Sequence, residues 1–535
     1  MVFQIAKKEF HNNLLSARFV IGFLLCLVLI PFSILISVSD YRDQSALYRQ
    51  DRDAADKATK EVYVYSGLRP TIVFPPEPLS VFSRGIRAQV GNRVKILPGE
   101  KPLLTEGKAA VRDNPFLAAF FSVDFVDIAA IIFSLLALLF GYDAFSREKE
   151  SGTLKLQMAN SLGRSEVLAG KVVGILLTLL PILVFCFLLS AILILTSGNT
   201  SFTGLEWGRI ALLFGASLVY LAVFVFIGLF ISARSRTSVT SLVVCLFVWV
   251  FSVFIVPNLA AYAAESFVGV PSRENLTRVL EDLDKERDRW LKERRKALPE
   301  SDWNISWRMS SAQDGYMETY GCSKSKFEQE RQVSMIKGPL LIDYADKKWA
   351  AQKSYLDGLV HQSRVAEGIA MASPAGVFRL IASAICATDV RSHERDLDKA
   401  RQYRETFIRY FQGKNIFASF RYITPTPPEA MLTGDRLVEK RSGGQFKTVR
   451  EYDDWAGKQK DFRARWQALQ KVKLRYDDPN DFSFLDVSDM PLFPDRADSL
   501  FSGLAGTIPR IGLLFVEIIL LFYLGYVAFI RYDVR

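Results

Sequence analysis

The sequence is poor in the side chains that enzymes most often use for metal binding and nucleophilic catalysis. It contains three histidines, His11, His361 and His393, and none of them belongs to a metal-ligand pair. Three of its five cysteines lie in apolar runs, which leaves Cys322 and Cys386 as the one candidate disulfide pair. Their spacing does not decide between a disulfide and two free thiols. A histidine-based metal site and a framework of several disulfides are both excluded.

Signatures of nucleotide-binding and hydrolytic enzymes are also missing. There is no G-x-S-x-G motif. The segment RSEVLAGKVV approaches a phosphate-binding loop, but Ser165 occupies the position of the first glycine, and Val172 that of the Ser or Thr that binds magnesium. We therefore predict that the chain is not an enzyme and binds no cofactor itself.

What the sequence does contain is long apolar blocks separated by highly charged segments. Half of its 535 residues are hydrophobic, and 40 are phenylalanine. This uneven distribution is typical of a membrane protein with sizeable aqueous portions. The formal net charge is +10, but the basic residues are scattered among acidic ones and form no aromatic-and-basic groove. Nucleic acid is therefore excluded as a partner.

Six apolar segments reach the length of about 20 residues that a membrane-spanning helix requires. We place these spans at 19–39, 119–142, 172–196, 210–231, 238–264 and 511–530. Lys and Arg are concentrated in the short segments on one side of the spans, whereas the short loop on the other side offers only Arg209. The positive-inside rule then places both termini, 1–18 and 531–535, in the cytoplasm.

Two large insertions then lie outside the cytoplasm. The first, 40–118, starts as a polar helix and continues with Val/Tyr alternation and prolines, which indicates a small mixed α/β region. The second, 265–508, is predicted to be mainly α-helical. Apolar residues recur there at helical spacing, and we interpret them as core: Leu276, Leu280, Leu283 and Trp290, then Leu397, Ala400, Phe407 and Phe411. The predicted fold is an α-helical polytopic membrane protein, a six-span bundle with these two insertions.

One further apolar segment, 368–389, is shorter than a span and is interrupted by Pro374 and Arg379. It could form a helix on the outer membrane interface or a seventh span. We favour the interfacial helix, because a seventh span would move the C-terminus to the side that the charge rule forbids.

Glu517 lies within the last predicted span. A carboxylate in such a position costs roughly 2.5–3.5 kcal/mol on insertion scales unless it faces protein or water. We expect Glu517 to face the bundle or a dimer seam; a hydrogen bond to a neighbouring helix or an extension toward Arg510 are the alternatives. Asp124 and Asp127 are expected at the outer interface.

The loop at 143–171, between the second and third spans, combines charge with a short amphipathic helix. Glu148 and Glu150 precede this helix, where negative charge suits its dipole, and Leu154 and Met158 share one of its faces. We expect the two glutamates to face the cytosol and the helix to dock on a partner protein. An interfacial helix without a partner is the alternative.

The segment FSREKESGTLKLQMANSLGRSEVLAGKVVG resembles the cytoplasmic loop of the ABC-2 family, the permease subunits of type-2 ABC transporters. In that family an acidic pair, Gly-Thr-Leu, an Arg and a Lys form the coupling helix that docks on a separate ATPase. The resemblance implies the coupling residues Arg147, Glu148, Glu150, Gly152, Thr153, Leu154, Met158, Arg164 and Lys171.

Other segments extend the resemblance over nearly the whole chain. FQIAKKEFHNNLLSARF is similar to the family's amphipathic connecting helix, with Phe3, Ala6, Phe10 and Leu14 on one face. SARSRTSVTSLVVCLFVWVFSVFIVPNLA is similar to its fourth-to-fifth span region. PPEPLSVFSRGI, SPAGVFRLIASAICATD and FIRYDVR resemble a bacterial branch of the family that has large outer domains.

The resemblance implies a permease in the lipid bilayer of the bacterial cytoplasmic membrane. Two ABC ATPase subunits would bind ATP and magnesium, and a second permease chain, identical or a sister, would complete the transporter. Export, or transmission of force to a periplasmic partner, is the expected output. The rival hypothesis is a membrane sensor or scaffold with a ligand-binding outer domain, which would not need a coupling loop.

Overall fold

The computed structural model describes residues 2–88, 90–105, 124–154, 163–196, 202–301, 307–311, 316–320, 323–459, 461, 464, 467, 482–494 and 506–531. Six helices within these ranges are long and apolar enough to cross a membrane. This confirms the prediction of an α-helical polytopic membrane protein with six spans.

Helices cover the apolar runs of the sequence, and the outer insertions add further helices, the longest of which is α10. In chain order they are α1 (Val2–Leu14), α2 (Ala17–Lys60), α3 (Phe125–Gly141), α4 (Ser146–Glu150), α5 (Arg164–Thr196), α6 (Gly204–Arg234), α7 (Ser238–Val250), a π-helical segment (Phe251–Ile255), α8 (Val256–Phe267), α9 (Arg273–Lys296), α10 (Lys324–Ala370), α11 (Pro374–Ile385), α12 (Val390–Gly413), α13 (Gly434–Ser442), α14 (Val449–Gly457) and α15 (Ile508–Ile530). The spans are formed by α2, α3, α5, α6, α7 with α8, and α15.

Several helices extend beyond the boundaries that hydropathy predicts, and α2 and α5 extend farthest. The first insertion starts as a polar helix, as predicted, and this helix is continuous with the first span, because α2 runs without a break to Lys60. The third span starts within α5, which begins at Arg164, so the last residues of the predicted loop are already helical. Hydropathy locates the apolar part of a helix, whereas the helix itself continues through polar residues of good helix propensity.

Helices α3 and α6 are in close contact within the bundle. A Cβ atom on Gly141 would lie 3.2 Å from the Cα of Gly228, so the two backbones approach each other as only glycine allows. The hydroxyl of Tyr220 in α6 donates a hydrogen bond of 3.0 Å to the carbonyl of Ala130 in α3. Trp249 of α7 joins this group by donating to Ser134 at 2.9 Å.

The two outer insertions share one hydrophobic core and form a single outer unit. In the first insertion β1 (Thr71–Val73) pairs antiparallel with β2 (Arg93–Lys95), with Ile72 opposite Val94. In the second, β3 (Trp307–Ser311) pairs antiparallel with β4 (Tyr316–Tyr320). Ile72 and Val94 pack with the buried face of α12, which contains Leu397, Ala400, Phe407 and Phe411 as predicted. The predicted core face of α9 is confirmed only in part, since Leu276 is buried but Trp290 is 39% exposed.

The segment 368–389 closes the outer end of the bundle. Helix α11 has 12 residues, too few to span the membrane, so it is not a seventh span. Its Phe378 stacks on Tyr220 at 4.5 Å, and its Arg379 forms an ion pair of 2.7 Å with Asp127 at the start of α3. Helix α11 is buried against the spans, and that it lies at the membrane interface stays a prediction.

Cys386, which follows α11, is a free and fully buried thiol. The alternative of a disulfide to Cys322 is therefore not observed, and Cys322 itself lies outside the described residues. Burial raises the pKa of the Cys386 thiol, with a further increase from the charge of Asp124, so this thiol stays protonated.

The outer unit and the loop that carries Ser151 lie at opposite ends of the bundle, which predicts which residues a membrane-impermeant thiol reagent can reach. In a cysteine-free background, Ala58→Cys and Ala297→Cys should react in intact spheroplasts, because both positions are exposed on the outer unit. Ser151→Cys, exposed at the opposite end, should react only after permeabilisation. Reaction of Ser151→Cys and Ala297→Cys from the same side would contradict the six-span fold.

Candidate functional site

At the end of the bundle opposite the outer unit, one buried lysine joins three helices. Lys171 lies near the start of α5 with only 2% of its side chain exposed. Its ammonium is 2.8 Å from a carboxylate oxygen of Glu9 in α1 and 2.8 Å from one of Glu148 in α4. It also lies 5.3 Å from the centre of the Phe145 ring. Two carboxylates and an aromatic face offset the cost of burying this charge.

Two glycines of α5 allow α1 to come this close. A Cβ on Gly170 would lie 2.7 Å from the Cβ of Ile5, and one on Gly174 would lie 2.6 Å from the Cβ of Glu9. These glycines are four residues apart in GKVVG and share one helix face, the pattern that permits close helix crossing. The same crossing places Glu9 next to Lys171, so packing and charge specify one position for α1.

Helix α4 is fixed to the turn between α6 and α7. The ammonium of Lys149 donates to the carbonyls of Ala233 and Ser235 at the end of α6, the latter at 3.1 Å. The carboxylate of Glu150 accepts hydrogen bonds from the backbone N–H of Ser238, at 3.0 Å, and from the Ser238 hydroxyl. It thereby pairs one of the backbone N–H groups that the first turn of α7 leaves without a helical partner. Lysine at a helix C-terminus and glutamate at a helix N-terminus both complement the helix dipole.

The remaining spans are joined at the same end. Arg18 at the start of α2 pairs with Asp143 at 2.8 Å and donates to the Leu139 carbonyl at the end of α3. Arg164 at the start of α5 donates to the Phe529 carbonyl, at 3.0 Å, and to the Ile530 carbonyl at the end of α15. We call this set of contacts the junction; it consists of Glu9, Arg18, Asp143, Glu148, Lys149, Glu150, Arg164, Lys171 and Ser238. The junction connects the six spans and α1 at the end of the bundle opposite the outer unit.

The predicted coupling residues divide into exposed and buried groups. Arg147, Glu150, Gly152 and Thr153 are exposed at the tip of the loop or next to it, together with Ser151. The expectation that Glu148 faces the cytosol is wrong, because it is paired with Lys171. Leu154 is fully buried against the bundle and so does not present an apolar face to a partner. Met158 lies outside the described residues.

The predicted apolar face of α1 is only partly the face that packs. Ala6 is buried, whereas Phe10 and Leu14 are half-buried and Phe3 is 76% exposed. The packing face is centred on Ile5, Ala6 and Glu9, because it must match the small residues of α5. Glu9, Arg18 and Lys149 were not predicted as site residues. The GKVVG spacing was the one sequence signal that could have indicated the crossing.

The acidic residues of the spans are partly buried or bonded within the chain, and that Glu517 faces the bundle or a dimer seam stays a prediction. Glu517 of α15 has one carboxylate oxygen that is buried and without a hydrogen bond among the described residues. Its alternative partner, Arg510, instead donates to Glu367 and to the Leu380 carbonyl. Asp124 accepts from the backbone of Asp127 at 3.0 Å and caps α3. No group of three or more His, Cys, Asp or Glu side chains in the described ranges is arranged to bind a metal ion.

Removal of the Lys171 charge should destabilise the bundle. Lys171→Met leaves the half-buried carboxylates of Glu9 and Glu148 without their cation, and removal of one partner of a buried ion pair typically costs about 3–5 kcal/mol. Lys8→Met, at an exposed position of α1, should change stability by only about 0.5 kcal/mol or less. Thermal unfolding of the purified chain in nanodiscs measures both variants.

The double variant Lys171→Met/Glu148→Gln provides the control, since it removes one of the two uncompensated carboxylates. It should recover part of the lost stability. Equal unfolding temperatures for Lys171→Met and Lys8→Met would contradict a structural role for this ion pair.

Comparison with known protein families agrees with this architecture. A family model described as "ABC-2 family transporter protein" matches residues 3–291, which is more than half of the 535 residues and includes all nine junction residues. A second model, a domain of unknown function (DUF3526), matches residues 336–421, from within α10 to the end of α12 and just beyond. No curated protein matches the chain. The chain therefore belongs to the ABC-2 family of transporter proteins and is a membrane-embedded permease subunit.

Proposed function

We propose that this permease couples to a separate ATPase through the exposed tip of the 146–171 loop, and that the junction transmits the movement of the tip to the spans. The observation that carries the proposal is the pairing of Lys171 with both Glu9 and Glu148. It makes the loop, α1 and the third span one mechanical unit. The ATPase would bind ATP and magnesium, and this chain would contribute no catalytic residue.

The tip has the properties of a contact surface. Arg147, Ser151, Gly152 and Thr153 are exposed there, so a partner can reach them without unfolding the permease. Gly152 has a φ of +73°, and within the described part of the chain no atom lies within 4 Å of the place a Cβ would take. The turn therefore depends on the conformational freedom of glycine and not on close packing. Behind the tip, Lys149 and Glu150 hold its base against α6 and α7.

The charge distribution supports a cytoplasmic position for this end. The exposed or junction cations all belong to α1, to α4 or to helix ends and turns on the junction side: Lys7, Lys8, Arg18, Arg147, Lys149, Arg164, Arg234 and Arg236. By the positive-inside rule, we place the junction and both termini in the cytoplasm of the bacterial inner membrane, and the outer unit in the periplasm.

We further propose export, or force transmission to a periplasmic partner, as the output. Two buried ion pairs, Arg379 with Asp127 and Arg510 with Glu367, join the outer unit to α3 and α15. Movement of the spans would therefore reach the outer unit. A second permease chain, identical or a sister, and the lipid bilayer would cover the apolar faces of α2 and α15, which are largely exposed in the single chain. Glu517 lies on α15 and would be part of that region.

Charge reversal at the tip tests the proposal. Arg147→Glu should weaken binding of the ATPase that copurifies with the chain by roughly tenfold or more. Placing a like charge at an interface costs several kcal/mol, and about 1.4 kcal/mol corresponds to a tenfold change in affinity. Arg147 is a sharper probe than Glu148 or Glu150, since both glutamates are bonded within the chain. Pull-down of the ATPase, scaled to permease abundance, measures the effect.

Arg278→Glu is the matched control, because it reverses the same charge at an exposed position of the outer unit. It should retain its ATPase. If Arg147→Glu and Arg278→Glu retain equal amounts of ATPase and of transport-dependent growth, the tip is not the coupling surface.

A further inference from the structure

A cavity of about 660 Å³ lies between the projecting half of α2 and the outer unit. This volume is within the range of about 300–1,000 Å³ that is typical of small-molecule sites. One end is at the membrane boundary, where Tyr41 follows the first span and Arg209 opens the fourth. The other end reaches Lys60, roughly 28 Å farther along α2 at about 1.5 Å per residue. A molecule could thus enter from the outer leaflet.

One wall of this cavity is apolar and has few hydrogen-bond donors. It contains five prolines and several aromatic rings: Pro70, Pro75, Pro76, Pro78 and Pro494, with Phe74, Tyr403 and Phe493. Proline has no backbone N–H. The hydroxyl of Tyr403 is already used, because it donates to the Pro491 carbonyl at 2.7 Å, and burial raises its pKa to about 12, so the ring stays uncharged. Such a wall favours a hydrocarbon chain over a polar solute.

The cavity also carries a row of alternating charges next to these prolines. Arg209 is 4.0 Å from Glu77, and Glu77 is 3.4 Å from Arg87, which also pairs with Asp396. Lys399 lies 3.7 Å from the other carboxylate oxygen of Asp396. Three cations therefore face two carboxylates. His393 adds no charge at neutral pH, because burial and then the nearby cations Arg87 and Arg401 lower its pKa to about 3.

The other charged side chains that line the cavity do not change this balance. Arg52 and Lys60 on α2 are basic, and Asp56 and Glu206 are acidic. One positive charge remains in excess among the described residues that line the cavity. Glu206 is in addition occupied by the Thr203 backbone N–H at 2.7 Å. An excess of one positive charge, in a row that contains two arginines, favours binding of a phosphate group.

We infer that this cavity binds a phosphate-bearing amphiphile from the outer leaflet, with its acyl chain along the proline–aromatic wall and its phosphate at the row of Arg209, Arg87 and Lys399. A membrane phospholipid and an amphiphile carried by the transporter share this chemistry. The inference does not depend on how the chain contacts an ATPase.

Photo-crosslinking of the full-length chain in amphipol tests the site. The probe is palmitoyl-lysophosphatidylglycerol with a diazirine in its acyl chain, and the crosslinked segments are mapped by mass spectrometry. Saturable labelling of 70–78 and 487–494 is expected. Glycerophosphoglycerol, which lacks the chain, should not displace the probe at equal concentration. Equal displacement by this headgroup, or the absence of saturable labelling in these segments, would overturn the inference.

Two adjacent alanines of α2 provide a matched pair of variants. Ala55 lines the cavity, whereas Ala54 is exposed and does not. Ala55→Trp should reduce labelling at least fivefold, and Ala54→Trp should leave it unchanged; equal labelling of the two would overturn the inference. If Ala55→Trp does not fold, Thr59→Phe, which also lines the cavity, and exposed Ala58→Phe form a second pair with the same expectations.

Native mass spectrometry of the chain from its own membranes then separates the two sources of the ligand. A bound membrane phospholipid identifies a resident lipid, and a different phosphate-bearing amphiphile identifies cargo. Either species should be retained by Ala54→Trp and lost from Ala55→Trp. Retention by both variants would contradict binding in this cavity.

Discussion

The burial of the Lys171 ammonium between Glu9 and Glu148 determines how the junction is assembled. A charge with so little exposure is tolerated only if its partners are in place, and these partners belong to α1 and α4. Gly170 and Gly174 remove the steric barrier to α1, while Lys149 and Glu150 hold α4 on the turn that follows α6. Displacement of any one of these helices would leave a charge or a helix end unsatisfied.

The fifth span connects this junction to the opposite end of the bundle. At its start, Ser238 is bonded to Glu150; farther along, the carbonyl of Ser252 in the π-helical segment accepts a hydrogen bond from the hydroxyl of Ser373, which caps α11. A π-helical turn followed by Pro257 is a point where a helix can change its geometry. Helix α11 is in turn paired with α3 through Arg379 and Asp127. A continuous set of bonded groups therefore links the two ends.

Hydropathy was sufficient to predict the six spans, because a span is defined by the length and apolar composition of one continuous segment. The polar helix after the first span was predicted as well, but not that it is continuous with the span in α2, because hydropathy marks only the apolar residues. The shared core of the outer unit also escaped prediction. It joins Ile72 to Leu397 across more than 300 residues, and sequence periodicity identifies a buried face without identifying its partner.

The candidate site shows the same division between local and long-range information. The loop motif identified Glu148, Glu150 and Lys171 as important, but it assigned them to an external contact, whereas each is bonded inside the chain. The partner of Lys171 in α1, Glu9, is 162 residues away in the sequence and carried no motif of its own. Exposure, which only the tertiary structure provides, separates Arg147 and Thr153 at the tip from the residues that hold it.

The most direct measurement of the central claim is the distance between spin labels on α1 and on the tip of the loop while the partner ATPase turns over ATP. Exposed Gln4 and Ser151 are the labelling positions, with Ala58 on the outer unit as a reference for movement across the membrane. We predict that the Gln4–Ser151 distance stays narrow and constant while the Ser151–Ala58 distance changes between nucleotide states. A Gln4–Ser151 distance that broadens or changes independently would show that the Lys171 pairing does not make α1 and the loop one unit.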